Sequence, residues 1–499
     1  VFDSLACRLT IVLFASGLLA GSSGCLVTSV KWRDPVFLPP LDAEGISRCG
    51  CHAAAERAYC RAWNLESRGR DACVDLYFEA ARLSVSSSQR DDFDRVRQLH
   101  EAALMKMVVT GQRFKRFDVS SGLSIRRLGH DHRIPISHHG FVWDPREFEQ
   151  LIPIGYYETS EIRNRHQQRG AGVPFVMRRT NVLNRGFVRK QGAIPSTLVM
   201  QVDDSGMLEN DSHGLDCRLE LYDPLRVDSL EIHGQRRPLS KDTTAAIVYL
   251  LQGQQWSYLN YFINPGSDDQ DGGLYMVEPY QPNKIPVVLI HGLLSDPFTW
   301  VQMINELLVH PGFLDHYQIW AFEYATGQSF LRSAADLREQ LAGARNTYDA
   351  NRADPQMAQM ILVGHSMGGL IAKLQVTSSG DRLWNAIANR PLDQLRMPDH
   401  AREELRRVFY FEPSADVDRV VFMATPHRGS SYASGPIGRL SSKLINLPEQ
   451  DTRLHQTLLR CNPGVFSPEV QDRNPVSVDL LDPHSPLLMA METLPAADH

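Results

Sequence analysis

Residues 359–374 read QMILVGHSMGGLIAKL, and within them Gly364-His365-Ser366-Met367-Gly368 sets one hydroxyl between two glycines. The G-x-S-x-G spacing is a modest signal by itself, arising by chance roughly once in six chains of this length and composition. Its surroundings sharpen it. Met360 to Val363 is an apolar run of the kind that forms a buried strand, and a helical pattern begins near Met367. A serine on a tight turn from strand to helix has its oxygen lifted clear of the sheet edge, where it can attack a carbonyl carbon. Gly364 and Gly368 remove Cβ atoms that would collide with the adjoining strand and helix. The helix start behind Ser366 favours developing negative charge, and Met367 supplies a backbone N–H for an oxyanion. The chemistry within reach is acyl transfer through a covalent serine adduct.

A second oxyanion donor must come from another loop. His291-Gly292-Leu293-Leu294 follows an earlier apolar strand, and the N–H of Leu293 is the expected donor, with Leu294 the fallback. Each such donor is worth about 3–4 kcal/mol of transition-state stabilisation. The plainer alternatives are a tight turn at His291-Gly292 and a small residue packed under a helix at Ser366.

These residues need a scaffold, and from Pro279 the chain supplies a strand, loop, helix rhythm. IPVVLIHG, YQIWAFEY, QMILVGHS and RVVFMATPHRGS read as strands; TWVQMINELLVH and SAADLREQLAGARNTY read as helices. Uninterrupted apolar strands alternating with helices predict a parallel sheet covered on both faces. An insertion at 381–418 is charged but carries Trp384, Leu395 and Phe409 to Phe411. It is expected to shape or cover a substrate pocket, with a partner-docking surface as the bland alternative.

VVLIHGLLSDPFTW, LVGHSMGG and VVFMATPHRGS, in that order, resemble the alpha/beta hydrolase superfamily, within it the lipase-like branch of bacterial triacylglycerol lipases and GPI inositol-deacylases. The resemblance covers roughly residues 279–490. It implies a doubly wound, mostly parallel sheet, Ser366 as nucleophile, Met367 and Leu293 as the oxyanion hole, an ester or lipid substrate, and no metal or organic cofactor. In such a fold the base and acid follow the serine in the order Ser, Asp or Glu, His. His427 comes too early in the chain. Asp416 and Asp418 precede their strand and lie at its wrong end. Asp479, Asp482 and His484 sit in a loop leading into a helix, and His499 is the last residue. No apolar run after Ser430 matches the earlier strands, and residues 430–494 read as a helical or irregular cap. The expectation is therefore that the acid and histidine are encoded beyond residue 499, so that the chain by itself has little activity.

Upstream, 53–107 is helical in pattern, and 114–263 is a β-rich domain, sandwich-like or irregular. NPGSDDQDGG begins a linker over 264–278, and the hydrolase domain is expected over 279–499. His130, His132, His138 and His139 read as a polar loop in preference to a metal site.

Over 499 residues the apolar content is 43%, the charged content 22% and the net charge −6, values of a globular chain with nothing to attract nucleic acid. The N-terminus, with Arg8, an apolar run from Leu9 to Ala20 and small residues before Cys25, reads as a 1–25 signal with a lipobox-like end and Cys25 as the lipid-attachment site. That makes the protein an exported, membrane-anchored envelope lipoprotein, with plain secretion or an uncleaved anchor as alternatives. Within the helical N-terminal region, 26–113, Cys49, Cys51, Cys60 and Cys73 are expected to form two disulfides. The rival to an esterase is a non-catalytic hydrolase-fold protein that binds lipid or protein at the envelope.

Overall fold

The computed structural model describes residues 30–40, 53–88, 94–127, 129–180, 182–183, 186–202, 217–232, 234–252, 263–265, 272–435 and 445–497. The expected 1–25 signal with Cys25, and also Cys49, Cys51 and His499, lie outside these residues. No helix among the described residues is long and apolar enough to cross a membrane.

Three helices come first: α1 (Ala53–Ser67), α2 (Cys73–Ser88) and α3 (Asp94–Arg113). Their buried faces carry Ala55, Tyr59 and Ala62, then Val74, Tyr77 and Ala81, then Leu99, Ala103 and Met107, spaced at three and four residues as one helix face requires. They pack on a five-stranded sheet built from β1 (Ile136–His139), β2 (Phe148–Pro153), β3 (Val173–Thr180), β4 (Gln191–Val202) and β5 (Cys217–Tyr222), in the order β1-β5-β4-β3-β2. Alternation along β3 sends Phe175 and Met177 into the core shared with the three helices. Val176 points to the opposite face, where it joins Tyr157, Ile162, Ala245 and Val248 around helix α4 (Thr244–Leu251). The main sheet of the module thus lies between helices, which cover the apolar residues on both faces of β3. A three-stranded sheet (Phe117–Asp118, Gly122–Arg127, His130–Ile134) and short two-stranded pairs stand beside it, so the module is β-rich and irregular, not a sandwich of two packed sheets.

The second sheet contains β6 (Gly273–Met276), β7 (Ile285–Ile290), β8 (Tyr317–Glu323), β9 (Met360–His365) and β10 (Val417–Met423), in the order β6-β8-β7-β9-β10. All neighbours are parallel except β6, which runs antiparallel to β8. Strand β6 lies inside the stretch expected to be linker. Its four residues pair with Trp320–Glu323 and so belong to this second sheet. Along β7, Val288 and Ile290 face one core while Val287 and Leu289 face the other. Helix α5 (Val301–Val309) covers the second of these faces, and α6 (Phe330–Tyr348) with α7 (Met367–Lys373) covers the first. No strand among the described residues follows β10. Its Val421, Phe422 and Met423 are 45%, 43% and 41% exposed, values that mark an open sheet edge.

One continuous set of buried residues runs from α1 through the first sheet into the second, so the expected regions share a core. Two further expectations change. Cys73 is a free, fully buried thiol on the inner face of α2, so the four-cysteine cluster does not form two disulfides. The 381–418 insertion leaves from below α7, where Ser414 N donates to Gln375 O, and re-enters at Asp416, whose carbonyl accepts from Met360 N at the amino end of β9. Its aromatic residues pack inward, Trp384 lying edge-on to Phe409 (5.5 Å) and to Phe466 (6.3 Å). They join the continuous core, with the helical region that contains α8 (Asp399–Phe409) and α9 (Glu449–Cys461), so these side chains are core and not the pocket wall expected.

Candidate active site

Strand β9 delivers Ser366 to the carboxyl edge of the second sheet, between β7 and β10. The residue sits at φ 52°, ψ −123°, a backbone region costly for any side chain bearing Cβ. Two hydrogen bonds hold it there: Ser366 N donates to Met423 O (2.8 Å) and Gly369 N donates to Ser366 O (3.0 Å). The flanking glycines are required by close approach. A Cβ on Gly364 would fall 2.5 Å from Gly368 O, and one on Gly368 would fall 2.3 Å from Ile290 O and 2.4 Å from His291 O. These are backbone atoms with nowhere to move. Gly368→Ala should therefore lower stability by about 1–3 kcal/mol, measured by urea unfolding. Gly343→Ala, in the middle of α6 with only an ordinary 3.5 Å contact to Phe187, should stabilise by up to about 1 kcal/mol. Equal effects at the two positions would refute the steric account.

The loop after β7 lies directly against the serine: a Cβ on Gly292 would stand 3.0 Å from Ser366 Cβ. His291 is 1% exposed, stacks on Tyr324 at 4.3 Å, and burial lowers its pKa to about 4, so the ring is neutral. Tyr324 N donates to its Nε2 (3.4 Å), which leaves the proton on Nδ1 to donate to Gly292 O (3.1 Å). Tyr324 Oη donates to His291 O (2.7 Å). Two successive carbonyls of the loop are thereby fixed. Because a peptide group is planar and trans, fixing Gly292 O also fixes the opposed direction of the Leu293 N–H. Leu294 follows at φ 52°. On the serine's other side, Met367 opens α7, where the first N–H groups of a helix have no intrahelical acceptor.

Among the described residues, none hydrogen-bonds the Ser366 hydroxyl, which is half-buried. His365, beside it, lies edge-on to Trp300 at 6.3 Å, and burial lowers its pKa. Its Nδ1 has no partner among the described residues. His427 stands in the loop after β10, edge-on to Phe422 at 4.7 Å, and burial, with Lys373 adding to it, lowers its pKa. That loop is pressed on the start of α7, since a Cβ on Gly369 would meet Thr425 Oγ1 at 1.9 Å. His484 is 92% exposed and touches Asp482 at 3.2 Å. Asp479 is taken up by Arg473 and by Val476 N. Asp416 lies at the amino end of the sheet, paired with Arg352 at 3.1 Å. The four histidines expected in a polar loop lie on strands, His130 and His132 on His130–Ile134 and His138 and His139 on β1; His138 Nε2 bonds Val119 O (2.9 Å), and His139 stacks on Tyr222 (4.7 Å). A cavity of about 780 Å³, lined by Phe37, Gln112, Lys115, Leu151 and Arg178 among others, belongs to the N-terminal half and contains no residue of the second sheet.

Residues 287–498 match the family model described as the alpha/beta hydrolase family. The C-terminal part of the chain is an alpha/beta hydrolase domain. A search of curated proteins finds no match. Among solved structures, the hydrolase-containing chain is similar to the lipase BlEst2 of Bacillus licheniformis in mature form, at 16% identity and a TM-score of 0.24, covering 44% of this chain and 66% of that one. The propeptide form of the same lipase is similar at 20% identity and a TM-score of 0.21, covering 34% and 30%. Esterase B from Lactobacillus rhamnosis, in a structure with a tributyrin phosphonate, is similar at 15% identity and a TM-score of 0.22, covering 38% and 55%. The chain thus spans 66% or less of each.

Sequence reasoning passed over the pinning of the His291-Gly292 loop by Tyr324, because the contact joins positions 33 residues apart. It also passed over Asn305. An asparagine on the apolar face of INELL was the available signal.

Proposed function

We propose that the hydrolase domain cleaves carboxylic esters, of lipid or acyl type, through an acyl-enzyme on Ser366. The observation that carries this reading is the strained Ser366 turn with the Gly292 loop packed against it, a site that joins a half-buried hydroxyl to a fixed loop and a helix start. In the proposed cycle the Ser366 oxygen attacks the ester carbonyl while a histidine takes its proton. The carbonyl oxygen gains negative charge, which the N–H groups of Met367 and Leu293 stabilise. The tetrahedral adduct then expels the alcohol, which receives the proton, and water repeats the sequence to release the acid. A carboxylate must orient that histidine, and the described residues do not bring such a pair to Ser366. The chemistry needs no metal. In this reading the protein is held at the cell envelope by lipid on Cys25, which places the domain beside a membrane of ester lipids.

Treating the intact protein with a fluorophosphonate tests the assignment. Ser366 should be the residue labelled, and Ser366→Ala should remove the label. A folded intact protein that takes up no probe at Ser366 would be a binding module in hydrolase form, and the esterase reading would fall.

A further inference from the structure

The loop bearing Leu293 is held from two sides, and one side is not the hydrolase domain. After Leu294 and Ser295 the chain makes a short 3₁₀ turn, Pro297–Trp300, capped by Asp296, whose Oδ1 accepts from Phe298 N (2.8 Å), and then enters α5. Trp300 is buried in the hydrolase core with Val287, Leu289 and Val363. The next residue, Val301, is buried in a different cluster, that of Tyr157, Ile162, Val176 and Val248 from the N-terminal module, with Phe298 packed beside it. One turn further on, Asn305 is 1% exposed, and both ends of its amide are bonded to that module. Its Oδ1 accepts from Thr244 Oγ1 (2.9 Å) and its Nδ2 donates to Asn164 O (2.9 Å). Arg163 N donates to Gln302 Oε1 (2.7 Å), and Asn164 Nδ2 donates to Glu306 Oε1 (3.0 Å). A buried amide with both ends satisfied fixes direction as well as position, because any shift leaves a buried polar group unpaired.

We infer that Asn305 is a positioning residue for ester hydrolysis: it locks α5 to the N-terminal module and so sets the oxyanion loop against Ser366. The proposal rests on the esterase reading above and gives the N-terminal module a role in catalysis that does not depend on touching substrate.

The test uses the intact protein in four forms: wild type, Asn305→Leu, Thr244→Val and Thr244→Ser. Hydrogen exchange in peptides spanning 291–300 should speed up roughly tenfold in Asn305→Leu, while peptides from α8 keep their wild-type rates. With p-nitrophenyl butyrate, kcat should fall roughly 10- to 100-fold with KM little changed, as misplacing a reacting group by an ångström does. Thr244→Val, nearly isosteric, should show a smaller loss in the same direction, and Thr244→Ser, which keeps the hydroxyl, should restore kcat to within about twofold. Unchanged exchange at 291–300 overturns the anchor. Faster exchange with unchanged kcat overturns its role in positioning. Should Asn305→Leu fail to fold, the Thr244→Val and Thr244→Ser pair decides by the same two readouts. Loss of the esterase reading shows separately, as wild type and Ser366→Ala with the same turnover, and leaves the exchange result to judge the anchor.

Discussion

Ester turnover by the intact protein should drop on the order of 10⁵- to 10⁶-fold when Ser366 becomes alanine, the loss typical of removing a serine nucleophile. The size of the effect follows from the covalent route. Without the hydroxyl oxygen no acyl-enzyme forms, and only binding and the oxyanion donors remain to act on water. Alanine should keep the fold, because the strain at φ 52° comes from having a Cβ, which serine and alanine share. The bonds from Ser366 N to Met423 O and from Gly369 N to Ser366 O are backbone bonds that the substitution leaves in place. Thermal unfolding should therefore move little while activity disappears. A folded Ser366→Ala protein retaining even a hundredth of wild-type kcat/KM would put the nucleophile elsewhere.

The second large effect concerns the seam between the two sheets. Arg226, in the turn after β5, is mostly buried, and its guanidinium bridges Asp223 of the first module (2.7 Å) and Glu278 beside the hydrolase sheet (2.6 Å). Burial works against its charge, and the two carboxylates more than offset that, so its pKa is raised. Removing one partner of a buried ionic group leaves uncompensated charge and costs about 3–5 kcal/mol. Arg226→Leu should lose that much at neutral pH. The pH dependence has a definite sign. Burial, with the Glu278 charge adding to it, pushes Asp223 up to about 6 even against the pull of Arg226. A carboxyl with its native pKa raised contributes stability fully below its unfolded value near 4, and that contribution is lost as pH rises through about 6. With Arg226 gone, the two ionised carboxylates keep neutral donors, Leu225 N on Asp223 and Gln281 Nε2 on Glu278, but lose the guanidinium charge between them. The destabilisation measured by urea should accordingly be smaller at pH 5 than at pH 8; the same loss at both would contradict the assignment of a charged, coupled triad.

What could be read from the chain and what could not divides along range of interaction. Ser366, Gly364 and Gly368 were legible because the strand, turn and helix that strain the serine are contiguous, and their apolar and glycine pattern is local. The parallel strands were legible for the same reason: β7, β8 and β9 are buried on both faces and so are apolar without interruption. Strand β6 was not, because an antiparallel edge strand of four residues beside a Gly and Asp-rich run carries no period long enough to recognise. The direction in which the insertion packs was hidden as well. Trp384 and Phe409 mark a buried surface, and composition does not say which one. Cys73 reads the same in a disulfide or in a helix core until α2 is seen to turn it inward. Asn305 was the hardest, since its partners lie 61 and 141 residues away.

Among the described residues the outer margin of β10 is bare, which has a practical meaning for any sample made of these 499 residues alone. Unpaired strand amides flanked by Val421, Phe422 and Met423 invite any free strand to zip on, a second molecule included. Protein concentration thus becomes a hidden variable: at high dilution the serine would be assayed in single molecules, and in crowded samples in adherent ones.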